Sequence, residues 1–298
     1  MIYYFLLALS TLMATGKAIF CKAIGTEGNS NKEKALLNFK AFLVAFLVAL
    51  LFIIGRLREL FNISSFSLLL SVFFGLSVAL TQIFQSKALG SGPASTVTLI
   101  YACGFLIPIF YGLVFWEESV SLFQWLGIGL LMISLVMCLA KKEEKKEIFS
   151  WLPFAILAML GSGANAIFQK THQYSQFSHE ISFYLTCCLF FSALFTAIVY
   201  LMTKNDTANN KEKAAVHRVA FKSYVLPICL GISVGMLNFL NLFLSGNLPS
   251  VVHFPIYNVG SMLLVILLSA IIYKDKMTAL QKIGFSLGIA AILIIGLL

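Results

Sequence analysis

Gly75-Leu76-Ser77-Val78-Ala79 and Gly231-Ile232-Ser233-Val234-Gly235 lie 156 residues apart and read as one pattern of small and apolar residues around a serine. The same shift sets Gly90 on Gly246, Pro93 on Pro249, Ile100-Tyr101 on Ile256-Tyr257 and Gly104 on Gly260. A shift of 148 sets Ala18-Ile19-Phe20-Cys21-Lys22 on Ala166-Ile167-Phe168-Gln169-Lys170. The chain is thus a tandem of two related halves. Within it, Gly75 with Ala79, Gly231 with Gly235 and Gly284 with Gly288 have the small-xxx-small spacing that lets helix backbones approach closely in a membrane.

The composition says what kind of halves these are. Of 298 residues, 60% are hydrophobic and 11% charged, which excludes an ordinary soluble globule. Apolar stretches of about 20 residues recur, the length a helix needs to cross roughly 30 Å of hydrocarbon and twice what a barrel strand needs. Polar breaks predict ten spans, at 2–24, 36–55, 66–86, 93–115, 122–140, 150–170, 180–202, 222–244, 250–272 and 280–298. Five spans per half is an odd number, so the second copy sits upside down relative to the first. The expected fold is an all-α integral membrane protein of ten transmembrane helices arranged as two inverted five-helix repeats. Residues 1–140 form the first repeat, 141–149 a charged linker and 150–298 the second repeat. Inverted repeats of this kind point to a secondary transporter working by alternating access. Met1–Cys21 lacks the basic start of a signal peptide and reads as the first span. The six cysteines fall inside spans with no metal-ligand spacing, so neither a cofactor nor a metal is implied.

The net charge of +9 is a topology signal. All of the 21 lysines and arginines except Lys17, Arg56, Arg58 and Lys170 fall in or beside the odd-numbered loops. The positive-inside rule then puts those loops in the cytoplasm and both termini outside, in the cell (inner or plasma) membrane. The basic loops are short, mixed with acids and poor in aromatics, so nucleic acid is no partner. Lys141–Glu147 reads as a solvated linker, and 203–221 as a surface loop.

Polar side chains inside the spans are the candidate site. Lys17 lies about two-thirds of the way across the first span, and no Asp or Glu falls in the middle of any span. A lone ammonium in hydrocarbon costs at least about 2.5 kcal/mol. Snorkelling to the cytoplasmic headgroups, deprotonation, or a wet cavity holding an anion would each relieve it. Gln82 and Gln85 superpose on Asn238 and Asn241, so each half presents two amides three residues apart on one helix face. They read either as lining for a mixed polar solute or as interhelical glue. Tyr101 and Tyr257 are in register, with Ser95, Thr98, His253 and Asn258 nearby. His253 is expected near the outer membrane surface, as part of a polar face by the headgroups, of the cavity lining, or of a protonation-linked gate. Gly161–Asn165 reads as the opening of the sixth span, with Asn165 on the Lys17 position. Pro108 and Pro255 are expected kinks, and Glu117-Glu118 an ordinary solvated pair at a span end. The expected substrate-binding set is Lys17, Gln82, Gln85, Tyr101, Asn165, Asn238, Asn241, Tyr257 and Asn258.

These features resemble the ten-span EamA-type members of the drug/metabolite transporter superfamily. The likeness rests on the five-plus-five spans and on Gly90-Ser91-Gly92-Pro93-Ala94-Ser95 with its second copy Gly246-Asn247-Leu248-Pro249-Ser250. It rests also on Phe115-Trp116-Glu117-Glu118 before Leu126-Gly127-Ile128-Gly129, echoed by Tyr273-Lys274-Asp275 before Ile283-Gly284-Phe285. The resemblance implies a basket in which spans 1, 3, 4, 6, 8 and 9 line a central cavity, with spans 5 and 10 peripheral. The second copy departs from the first where Lys274-Asp275 replaces Glu117-Glu118. The expectation is a non-enzymatic transporter of a small polar metabolite with an anionic group, in contact with the lipid bilayer. A flippase for a lipid-linked head group, or an exporter of amino acids or amines, is the alternative. A proton or other coupling ion, and a monomer or homodimer, fit equally.

Overall fold

The computed structural model describes residues 2–27, 30–55, 63–92, 94–139, 148–204, 224–272 and 278–297, excepting the side chains of 26, 27, 94, 95, 138, 139, 148 and 269–272. Pro93, the linker 141–147, the loop from 205 to 221, and the Lys274-Asp275 pair lie outside the described residues, as does the Ser95 side chain. The regular elements of the described chain are all helices: α1 Ile2–Glu27, α2 Asn31–Leu51, α3 Ser65–Ser91, α4 Ala94–Ala102, α5 Leu106–Phe115 and α6 Leu122–Leu139. There follow α7 Ile148–Gln173, α8 Ile181–Met202, α9 Leu226–Ser245, α10 Ser250–Ile272 and α11 Ala279–Leu297. Nine helical segments among the described residues are long and apolar enough to cross a membrane, α4 and α5 together making one of them. The expected fifth span has a shorter apolar run, Leu122–Met137. The protein is an all-α, multi-span membrane protein, and its large apolar side chains face outward accordingly: Phe149 is 91% exposed and Leu122 82%.

Local chemistry sets several boundaries. α2 starts five residues before the expected span because Ser30 accepts from the Glu33 amide, with Glu33 in its first turn. Ser64 caps α3 in the same way through the Ser67 amide. The fourth span is interrupted by a 3-10 turn at Cys103–Phe105. Pro108, four residues after Gly104, has no amide to donate to that carbonyl and its ring crowds it, which accounts for the break. Pro255, in contrast, is accommodated within the single helix α10. α7 begins at Ile148, inside the expected linker, and Gly161 and Gly163 lie in its middle rather than at its start.

Helix pairings echo between the halves. α1 packs on α9 as α7 packs on α3, and α2 on α9 as α8 on α3; α2 pairs with α8, and α6 with α11. The two glycines of the opening pattern serve equivalent contacts. A Cβ on Gly75 would meet the Cys188 carbonyl of α8, 2.6 Å away, and one on Gly231 would collide with the Ala41 carbonyl of α2. One apolar core joins α2, α3, α8 and α9 around Phe42, Phe74 and Tyr184. A second joins α5, α6, α10 and α11 around Phe105, Leu131 and Phe254. The chain ends meet where the Tyr4 hydroxyl donates to the Gly296 carbonyl at 2.8 Å. We call this side the terminal face and the opposite side the lysine-rich face.

Candidate functional site

Two polar clusters lie between the helices. The central one starts on α1. Lys17 is half-buried, its Nζ 3.3 Å from the Tyr101 hydroxyl of α4 and 5.5 Å from that ring's centroid. One turn on, the Cys21 thiol lies 3.2 Å from Ser86 Oγ, with Lys17 and Gln82 beside it. Gln82 is 1% exposed, yet neither of its amide atoms has a partner among the described residues. Gln85 Oε1 and Ser10 Oγ are also buried without a partner. Asn165 of α7 donates to Thr81 Oγ1 at 3.3 Å, and its own Oδ1 is unpaired. Tyr257 stands next to Tyr101, Ser162 and Asn258, and Asn258 Nδ2 donates to the Phe254 carbonyl at 3.0 Å. Buried polar atoms in native proteins are nearly always bonded to protein or water, so the unpaired ones here are available to a further partner.

Asn238 and Asn241 behave differently. Gln169 of α7 donates to Asn238 Oδ1 at 3.3 Å, and Asn238 Nδ2 donates to the Val234 carbonyl at 2.9 Å. Asn241 Oδ1 lies 3.2 Å from His253 Nε2. None of the described hydrogen bonds joins the first-half pair to the second. His253, in the first turn of α10 as its place after Pro249 implies, is covered by protein there, and its Nδ1 has no partner among the described residues.

The second cluster is on the terminal face. Glu118, expected to be solvated, has a side chain only 11% exposed and forms an ion pair with Lys170, whose side chain is fully buried. Lys170 Nζ also donates to Ser250 Oγ at 2.8 Å and lies 3.5 Å from the Leu248 carbonyl. The Trp116 and Tyr174 rings flank the ammonium at 5.4 and 5.3 Å. Glu118 Oε2 accepts from the Ser250 amide at 3.0 Å, an anion at the positive start of α10. The turn is made by Glu117 in the left-handed region, φ 52°, while the Glu118 amide bonds back to the Gly112 carbonyl at 3.1 Å. Burial and the neighbouring carboxylate raise the Tyr174 phenol above its ordinary pKa. The sequence did carry a signal for this pair: Lys170 follows a long apolar run and has no acid within a turn on either side.

A hollow of about 480 Å³ along Lys282, Ile283, Ser286, Leu287 and Ala290 runs down one face of α11, away from both clusters. No group of three or more His, Cys, Asp or Glu able to hold a metal occurs among the described residues.

Residues 1–140 match the profile of the EamA-like transporter family. Over that stretch, a little under half of the chain, it is similar to EamA-like transporters, which is consistent with a multi-span membrane protein of the drug/metabolite transporter kind. A solved crystal structure of a protein superposes with a TM-score of 0.70, covering 97% of this chain and 98% of its own at 13% identity. At that identity the likeness is one of fold. No curated protein matches the chain significantly.

Proposed function

We propose that the protein is a secondary active transporter of a small polar metabolite carrying an anionic group. It works by alternating access between two inverted five-span repeats, 1–140 and 150–298, making ten spans in the cell membrane. The repeated shifts of 156 and 148, together with the echoed helix pairings, support the repeat reading. The lysine-rich loops face the cytoplasm and both termini face outward. The proposed site is Lys17, Gln82, Gln85, Tyr101, Asn165, Tyr257 and Asn258, with Asn238 and Asn241 as its bonded frame.

One observation carries the choice of cargo. The Lys17 ammonium points inward to Tyr101, and its only bond among the described residues is to a neutral hydroxyl. Beside it, Gln82 offers a donor and an acceptor that have no partner among the described residues apart from the neighbouring Cys21 thiol. A carboxylate or phosphate would pair with the ammonium, and an amide, hydroxyl or second carbonyl of the same solute with Gln82. A cargo amine would find no described carboxylate there, which disfavours the amine-export alternative.

The test is a thermal-shift screen of purified full-length protein against small carboxylates, phosphates, neutral sugars and amines. A ligand that binds the folded state raises the melting temperature by mass action. Anionic compounds should give the shifts, and Lys17→Gln should weaken binding by about 10- to 100-fold, the worth of one charge-assisted bond. Shifts from neutral or cationic compounds that survive Lys17→Gln would overturn the anionic reading.

A further inference from the structure

We propose that the Glu118–Lys170 pair is a latch that holds the terminal face closed and must part when the central site opens to that side. It rests on the alternating-access reading. Three separate segments converge on the pair: the turn after α5, the last turn of α7, and the start of α10. Trp116 and Tyr174 wrap the ammonium, and Gly112 gives the carboxylate room, since a Cβ there would sit 2.6 Å from Glu118 Oε2. At the same face, Gln173 of α7 lies against Gly246 in the connection between α9 and α10.

The chemistry suits a contact that opens better than one that merely supports. Two buried charges gain little net stability over a well-packed apolar pair, because desolvation offsets most of their attraction. They can, however, be replaced by water on each partner once the segments separate, which an apolar contact cannot. The latch is also wired to the central cluster: Ser250, His253 and Tyr257 follow one face of α10 at spacings of three and four. Ser250 holds Glu118 and Lys170, His253 holds Asn241, and Tyr257 stands beside Tyr101. A displacement of α10 at the cargo end would therefore pull on the pair. Lys170 and Glu118 have Lys22 and Asp275 as sequence counterparts, but Ser250 aligns with Ala94, so the hydroxyl that bonds the Lys170 ammonium belongs to one repeat.

Hydrogen–deuterium exchange of the full-length protein in lipid nanodiscs, with no cargo present, tests this. Lys170→Met and Glu118→Gln should each accelerate exchange by roughly tenfold or more in peptides spanning 112–121 and 246–256. Peptides on the lysine-rich face, such as 85–92, and in the α2–α8 core should keep the wild-type rate. Unchanged exchange at the terminal face overturns the latch. Acceleration spread over both faces and the core also overturns it, because the pair would then support the whole fold. Should both variants fail to fold, Glu118→Asp keeps both charges but shortens the reach by one methylene; it should give the same regional pattern at about threefold. Since no ligand is involved, this result is independent of whether the cargo is anionic.

Discussion

The two halves share a scaffold but not a polar interior, and the difference can be traced position by position. Gln82 and Asn238 are counterparts, and each faces the first or sixth span. There Asn238 meets Gln169, whereas Gln82 meets the counterpart of Gln169, which is Cys21. An amide can serve both atoms of another amide; a thiol is a weak partner, and this one is shared with Ser86. Gln85 and Asn241 repeat the lesson. Asn241 bonds His253, but the residue at the equivalent place for Gln85 is Val97, buried and apolar. The second-half amides thus bond within their own half, while both amide atoms of Gln82 and Oε1 of Gln85 have no hydrogen-bond partner among the described residues. On the proposed repeat reading, two differences at the partner positions, Cys21 for Gln169 and Val97 for His253, separate a bonded half from one with amides left over.

The comparison breaks most easily at His253. His253→Val copies the first half into the second, leaving Asn241 Oδ1 buried without its partner. The expected loss is about 2–3 kcal/mol of stability, the usual penalty for orphaning a buried polar atom. A thermal midpoint in detergent equal to wild type would show that the His253–Asn241 bond does not support the fold. A smaller effect is expected from Gln169→Cys, which gives Asn238 the same neighbour that Gln82 has. Asn238 retains its bond to the Val234 carbonyl, so the cost should be about 1 kcal/mol. Binding of an anionic ligand should be unaltered, and a tenfold fall in affinity would move Asn238 from frame to site.

The sequence was informative about the frame because spans and repeats are written in long apolar runs and in glycines. Gly75 and Gly231 fall at equivalent close contacts as their shared pattern implies. It was less informative about the site, because satisfaction of a polar group depends on what the facing helix carries. Gln82 and Asn238 look alike within their own helices; Cys21 and Gln169, on α1 and α7, separate them. Glu118 misled for a related reason. A carboxylate at a span end is solvated unless another segment covers it, and here α7 and α10 do, over separations of 52 and 132 residues. Hydropathy sees neither contact.

Gln82→Leu should have the smallest effect on stability and the most telling one on function. Its two amide atoms are buried and unpaired, so the wild-type side chain carries a desolvation cost with no compensating bond. Leucine removes that cost at similar volume, and stability should stay level or rise by up to about 1 kcal/mol. Asn238→Leu, made at the equivalent position, should instead lose about 1–2 kcal/mol, because it strands Gln169 in a buried site. If Gln82 faces the cargo, binding of the anionic ligand falls by roughly tenfold in Gln82→Leu while the melting temperature does not fall. The two variants thus separate along different axes, affinity for one and stability for the other. Equal losses of stability would mean that Gln82 is bonded in the working protein after all, and the receptive half would then have to be sought around Asn165 and Tyr257.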